Sequence, residues 1–311
     1  MFKRLALIGI GLIGSSIARA VQRDGLVAEI VCAARSAKTR DAALSLGLVS
    51  TAYEDPAAAV KGADLVIICT PLGAYAEVGA VIGPHLEPGC ILSDVGSCKQ
   101  SVIRDLTPHV FSGVQLVPGH PVAGTEHSGP ESGFAELFRD RWCILTPPLG
   151  TDPAALEKMR RFWTLIGSKV EVMDPQHHDL VLAITSHVPH LIAYNIVATA
   201  DDLATVTESE VIKFSAGGFR DFTRIAASDP TMWRDVFLNN KEAVLEMLGR
   251  FNEDLTALQR AIRWGDGDAL FNLFTRTRAI RRAIIDAGQE VSSTDFGRSG
   301  SAAAKGSAKP E

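Results

Sequence analysis

The sequence predicts an α/β domain built on a mainly parallel sheet, followed by a separate all-helical domain. Three observations lead there. Short apolar runs alternate with helical stretches up to about residue 174, a G-x-G-x-x-G spacing occupies the first strand-to-helix turn, and the strand pattern stops beyond Asp174-Pro175. With 311 residues, 46% of them hydrophobic and 22% charged, the chain has enough apolar material for two cores.

The elements follow in order. Residues 5–10, 30–34, 65–69, 91–93, 114–117, 142–145 and 170–173 are brief and largely apolar, as strands covered on both faces are. The segments between them read largely as helices, so the expected units are βαβ with helices on both sides of the sheet. Helical periodicity then runs over 176–203, 207–214, 231–262 and 268–288. These helices carry more apolar positions than so few can bury among themselves, and part of that surface is expected to lie against a second copy of the chain. Residues 292–311, rich in Ser, Gly, Ala and Lys, are expected to be a disordered tail. The expected organisation is therefore a dinucleotide-binding domain over 1–174, a helical substrate and dimerisation domain over 175–291, and the tail.

Composition narrows the function. A net charge of −5 leaves no basic surplus for a phosphate backbone, which argues against nucleic acid as a partner. Five scattered cysteines without a C-x-x-C pair fit reduced thiols and a cytoplasmic location. Lys3 and Arg4, the apolar run behind them and Ala18-Arg19-Ala20 imitate a secretory leader. Gly9, Gly11 and Gly14 fall in fingerprint register inside that run, however, and cleavage would remove the chain's dinucleotide signature. No other stretch has the roughly 20 uninterrupted apolar residues of a membrane span.

The fingerprint Gly9-Ile10-Gly11-Leu12-Ile13-Gly14 sits where a nucleotide would need it. Gly9 permits the tight turn, Gly11 admits the pyrophosphate and Gly14 allows close packing, with the following helix pointing its N-terminus at the phosphates. An acid usually ends the second strand of such sites to hold a ribose 2′-hydroxyl. Here Arg35 and Ser36 stand there, with Lys38 and Arg40 behind, which favours NADP over NAD. Thr70 and Pro71, after the fourth-strand position, are placed to line the same cleft.

Ser97, in the sequence DVGSCK, and His120, in GHPVAGTEHSG, each follow a strand. Ligands in open parallel sheets sit beyond the carboxyl ends of strands, so both residues are candidates for one crevice beside the nicotinamide. A histidine there can accept a hydroxyl proton as hydride leaves the same carbon; a histidine satisfied by loop hydrogen bonds fits this segment equally well. In the helical region His187 and His190 lie three residues apart. Zinc held by these with His177, His178 and Asp179 is a weaker alternative, since no H-E-x-x-H pattern is present, and no metal site is expected. Arg224 suits a carboxylate, with Asp221 to orient it, and a structural ion pair is the competing account.

Taken together, GIGLIGSSIA, DVGSCK, GHPVAGTEHSG, SHVPH and GGFRDFTRIAASDPTMW resemble the prephenate/arogenate dehydrogenase family of tyrosine biosynthesis, especially its single-function cyclohexadienyl type, over about residues 1–290. The resemblance implies a Rossmann-type domain followed by a helical dimerisation domain, and oxidative decarboxylation of prephenate or arogenate with NAD or NADP. It implies that His120 accepts the hydroxyl proton and that Ser97 bonds the same hydroxyl and the histidine. It also implies that Arg224 grips a substrate carboxylate, that His190 lies on the substrate side, that Glu126 gates or senses the substrate side chain, and that Asp221 and Trp233 support the site. Two positions depart from the pattern: His127 stands where many relatives carry Lys or Arg, and the second-strand acid is missing. No regulatory domain or mutase-like extension is expected. The rival readings are another nicotinamide hydroxyacid dehydrogenase and a non-catalytic NAD(P)-binding redox sensor.

Overall fold

In a computed structural model, residues 1–125, 127–202 and 217–286 are described. By their contacts the described residues form two compact units that divide between residues 248 and 249.

The first unit is built on a six-stranded parallel sheet of order β3-β2-β1-β4-β5-β6. Its strands are β1 (Phe2–Ile8), β2 (Val27–Ala33), β3 (Thr51–Tyr53), β4 (Leu65–Ile68), β5 (Ile91–Asp94) and β6 (Gln115–Leu116). The connecting helices are α1 (Leu12–Arg23), α2 (Ala37–Ser45), α3 (Pro56–Val60), α4 (Tyr75–Ile82) and α5 (Lys99–Leu106). Because side chains alternate along a strand, β1 feeds two cores at once: Leu5 and Leu7 join the cluster containing Ile17, Phe162 and Trp163, while Ala6 and Ile8 join the one containing Val66, Tyr75 and Val236. The apolar run that imitated a leader is thus a central strand with both faces covered.

A second, three-stranded sheet has the order β7-β8-β9: β7 (Gly119–Pro121), β8 (Trp142–Leu145) and β9 (Lys169–Val172), with α6 (Pro153–Leu165) between the last two. β7 and β8 are antiparallel, and these three strands form a sheet of their own beside the expected mainly parallel one. β3 and β7, three residues each, are too short to show a period in sequence. The first strand ends at Ile8 rather than at residue 10, because Gly9 turns the chain with φ +97°.

The helical stretch begins with α7 (Pro175–Leu182), a π turn at Ala183–His187 and α8 (Val188–Asp201). The sequence suggested one continuous helix here. Pro189 has no N–H for the carbonyl of Thr185, and the ladder adjusts just before it. The span Pro175–Asp201 is long and apolar enough to match a membrane helix by length and composition. It also carries the buried polar side chains His178, Asp179 and His187. Next come α9 (Gly217–Thr223), α10 (Pro230–Asn239), α11 (Lys241–Trp264) and α12 (Gly267–Ile284). The expected helix over 231–262 is divided at Asn240, whose backbone leaves helical geometry at φ −116°, ψ 36°. The expected helix at 207–214 and the tail at 292–311 lie outside the described residues. The contact boundary at 248/249 falls well beyond 174/175, because α7 packs on α5 and α10 on the turn at Leu72–Ala74.

Candidate active site

The dinucleotide turn is built by exclusion. At Gly9 a Cβ would lie 2.9 Å from the carbonyl carbon and oxygen of Cys69, and at Gly14 it would lie 2.6 Å from the carbonyl oxygen of Gly9, so strand, turn and helix close only with glycine at both positions. Gly11 differs: nothing lies within 4 Å of where its Cβ would be. Gly11 caps α1 without a side-chain hydrogen bond, and no acid occupies the first turn. The leading N–H groups of Leu12, Ile13 and Gly14 are therefore left for a phosphate, while the Leu12 and Ile13 side chains pack on the core. This open, uncapped turn fits a dinucleotide pyrophosphate.

At the end of β2, Arg40 is not free for a ligand: its guanidinium donates to the carbonyls of Ala34 and Arg35 at 2.7 and 2.8 Å and to Glu54 at 2.9 Å. Arg35 and Ser36 are exposed. Thr70 and Pro71 follow β4, and the Thr70 hydroxyl is buried without a hydrogen bond.

His120 lies on β7 and is buried, at 7% exposure. Its surroundings are more elaborate than a base and a serine. His120 Nδ1 lies 2.9 Å from His178 Nε2, and His178 Nδ1 lies 2.8 Å from Asp179 Oδ1. Asp179 accepts from the N–H groups of Lys99 and Gln100, at 2.7 and 3.0 Å, and so ties α7 to the first turn of α5. Beneath them Lys99 Nζ donates to Asp94 Oδ2 at 2.6 Å and to the Gly119 carbonyl at 2.7 Å, both side chains being fully buried. Asp94 also accepts from Gly96 N–H, Tyr75 Oη–H and Gly119 N–H. Gly119, the residue before His120, is thus held at both its N–H and its carbonyl by one ion pair.

Burial first, then the neighbouring His178, Lys99 and His187, push His120 well below the usual histidine range. It stays neutral, as a base must. Burial lowers His178 too, against the opposing pull of Asp179. Asp179 is held below the usual carboxylate range despite its burial, by the bonds from His178, Lys99 and Gln100.

The structure redistributes the expected partners. Ser97 sits in the β5–α5 turn, half-buried; among the described residues its hydroxyl makes no hydrogen bond, and the partner of His120 is His178. His190 stacks on Trp233, ring centroids 3.7 Å apart, and its Nδ1 bonds to the Ser186 carbonyl at 2.8 Å, which leaves Nε2 as its acceptor. Arg224 is exposed and close enough to His190 to lower its pKa, after burial has done so. Asp221 pairs with Arg220 at 3.2 Å rather than with Arg224, its immediate neighbour in sequence being nearer to hand. Glu126 lies outside the described residues. Among the described residues no group of three or more His, Cys, Asp or Glu could hold a metal.

Sequence reasoning overlooked Asp94, Lys99, His178 and Asp179 as one network. The signal was faint: two charges five residues apart across an apolar strand-to-helix turn, and a His-Asp pair opening a helix.

Comparison with known proteins agrees with this architecture. The profile of the prephenate dehydrogenase nucleotide-binding domain matches residues 17–172, and that of the prephenate dehydrogenase dimerization domain matches 174–276. A cyclohexadienyl dehydrogenase of Zymomonas mobilis is 41% identical over 284 residues, 91% of this chain and 97% of that one. A prephenate dehydrogenase of Bacillus subtilis is 33% identical, covering 90% and 76%. Among solved structures, prephenate dehydrogenase from Aquifex aeolicus in complex with hydroxyphenyl propionate and NAD+ superposes with a TM-score of 0.85 at 31% identity, covering 91% of this chain and 99% of that one. Glycine turn, buried histidine and helical region therefore occur in a chain that belongs to the prephenate dehydrogenase family.

Proposed function

We propose that this protein carries out the NAD(P)-dependent oxidative decarboxylation of prephenate, arogenate or both, in tyrosine biosynthesis. The observation that carries the reading is His120: a dry, neutral imidazole whose Nδ1 is engaged by His178, in the same unit as an uncapped dinucleotide turn. Its remaining nitrogen, Nε2, is the base for the ring hydroxyl. Bound dinucleotide supplies the hydride acceptor. Loss of the ring carboxylate then aromatises the product, so the protein's task is chiefly placement and proton removal. Ser97 bonds the substrate hydroxyl, Arg224 holds a substrate carboxylate, and the His190–Trp233 stack forms a wall on the substrate side with His190 Nε2 facing a donor. Arg224→Ala is expected mainly to raise KM.

NADP is the proposed preference, supported by the exposed Arg35 and the missing acid at the end of β2. A homodimer is proposed too, supported by the dimerization-domain match and by large apolar side chains left in water in the second unit: Ile262, Trp264, Phe271, Phe274 and Ile280. The five free cysteines suit a reducing compartment, and we place the enzyme in the cytoplasm.

The test is formation of reduced cofactor, followed by absorbance, with prephenate and arogenate each crossed with NAD and NADP. Turnover in at least one combination is expected, faster with NADP. Silence in all four with dinucleotide binding intact overturns the reading and favours the sensor.

A further inference from the structure

We propose that the proton taken from the substrate hydroxyl does not stay on His120 but passes on to His178, where the carboxylate of Asp179 receives its charge. This rests on the function proposed above and assigns roles to two residues that the sequence reading considered only as metal ligands.

Asp179 is an acceptor on every bond it makes, two of them from backbone N–H groups, so the ring nitrogen facing it, His178 Nδ1, carries a hydrogen. A neutral His178 then has a bare Nε2, and the 2.9 Å contact to His120 requires the hydrogen to come from His120 Nδ1. The order of bonds is His120 Nδ1–H to His178 Nε2, then His178 Nδ1–H to Asp179. Only His120 Nε2 is left as the base. Each nitrogen is assigned by the fixed acceptor at the far end, the logic by which a buried carboxylate orients a catalytic imidazole.

The same chain can carry charge. When the hydroxyl O–H bond breaks, its proton bonds to His120 Nε2 and its electron pair becomes the second bond of the ring carbonyl, while the C–H bond of the same carbon breaks and its pair would leave as hydride to the bound dinucleotide. His120 would now be an imidazolium with no carboxylate in contact and with the Lys99 ammonium among its neighbours, both unfavourable in a dry site. Passing the Nδ1 proton to His178 Nε2 restores a neutral His120 and puts the positive charge against Asp179, 2.8 Å away. No atom moves beyond a hydrogen-bond length. The titratable and charged groups around the pair are Lys99, Asp94, Asp179 and His187, and of these only Asp179 bonds directly to either ring. Burial and Lys99 lower both histidines, whereas a carboxylate opposes the shift only at His178. His178 and Asp179 are positioning residues in the ground state, and His178 is a relay during turnover.

His178→Gln separates relay from scaffold, because the glutamine carbonyl can still accept from His120 Nδ1–H but cannot take its proton. The expected result is a kcat at neutral pH lowered about tenfold or more with KM for both substrates little changed, and an acid limb of the kcat profile displaced to lower pH, since the remaining base is His120 alone. A His178→Gln enzyme with wild-type kcat or an unmoved acid limb overturns the relay. Wild type runs in the same assay: no wild-type turnover overturns the proposed function, whereas an active wild type with an equally active variant overturns only this inference. Should the variant not fold, 15N NMR of histidine-labelled wild type decides by itself. Protonated Nδ1 and bare Nε2 on both His120 and His178 is the expected pattern; the opposite tautomer on either overturns the chain.

Discussion

The two units of this protein treat water in opposite ways. Within residues 1–248 even ionic groups are dry: Lys99, Asp94 and His178 are fully buried, and Asp179 and His187 are each 1% exposed. Among the described residues 249–286 nothing is buried, and Trp264 and Phe271 are 74% and 70% exposed. Burying charge is costly unless every group is paired, so the first unit maintains an over-determined polar network whose geometry cannot drift. A pair of helices without a core, by contrast, has little stability of its own and depends on a surface supplied from elsewhere. The proposed chemistry lies where packing is complete, and the proposed assembly surface where it is left open.

The largest expected effect comes from removing the proposed base. His120→Ala is expected to lower kcat by about 100- to 10,000-fold with dinucleotide affinity retained, read by steady-state kinetics alongside cofactor fluorescence titration. Breaking the ion pair beneath it tests whether the dry network is structural as well. Lys99→Met leaves the Asp94 carboxylate uncompensated, and thermal unfolding is expected to show a loss of about 3–5 kcal/mol.

Acid attacks the same region without mutation. His187 is lowered to about 4 by burial, so between its ordinary value near 6.5 and pH 4 the unfolded chain binds a proton that the folded one refuses. Stability is then present in full above about pH 6.5 and falls as pH drops toward 4, by about 3 kcal/mol from this group alone. Urea unfolding at pH 7.5 and pH 5 should show the fall, and a flat profile would contradict the burial of these rings.

The open unit should respond to a different change. Phe271→Glu with Phe274→Glu is expected to weaken self-association at least tenfold in sedimentation equilibrium, since each ring withdrawn from water contributes about 1.5–3 kcal/mol. An unchanged dimer would place the interface elsewhere. The smallest effect is at the start of α12, where Asp266 accepts from Ala269 N–H at 3.0 Å. Asp266→Ala should cost about 1 kcal/mol, seen as faster amide exchange over the first turn of that helix.

Much of this protein was decided by its sequence alone. Gly9, Gly11 and Gly14 act through local backbone geometry, and neighbouring residues suffice to reveal them. The parallel strands are legible because double burial forces continuous apolar runs, and the helical region because apolar positions recur at the helical period. His120 was visible through its place after a strand. The tertiary structure decided what those residues touch. Only folding brings His178, 58 residues away in the chain, against His120, or sets Asp179 on the first turn of α5 about 80 residues before it. It also gave Asp221 to Arg220 and divided the strands between two sheets. Local rules read period and turn chemistry. Hydrogen bonds between distant side chains follow from how layers pack, which no short window of sequence records.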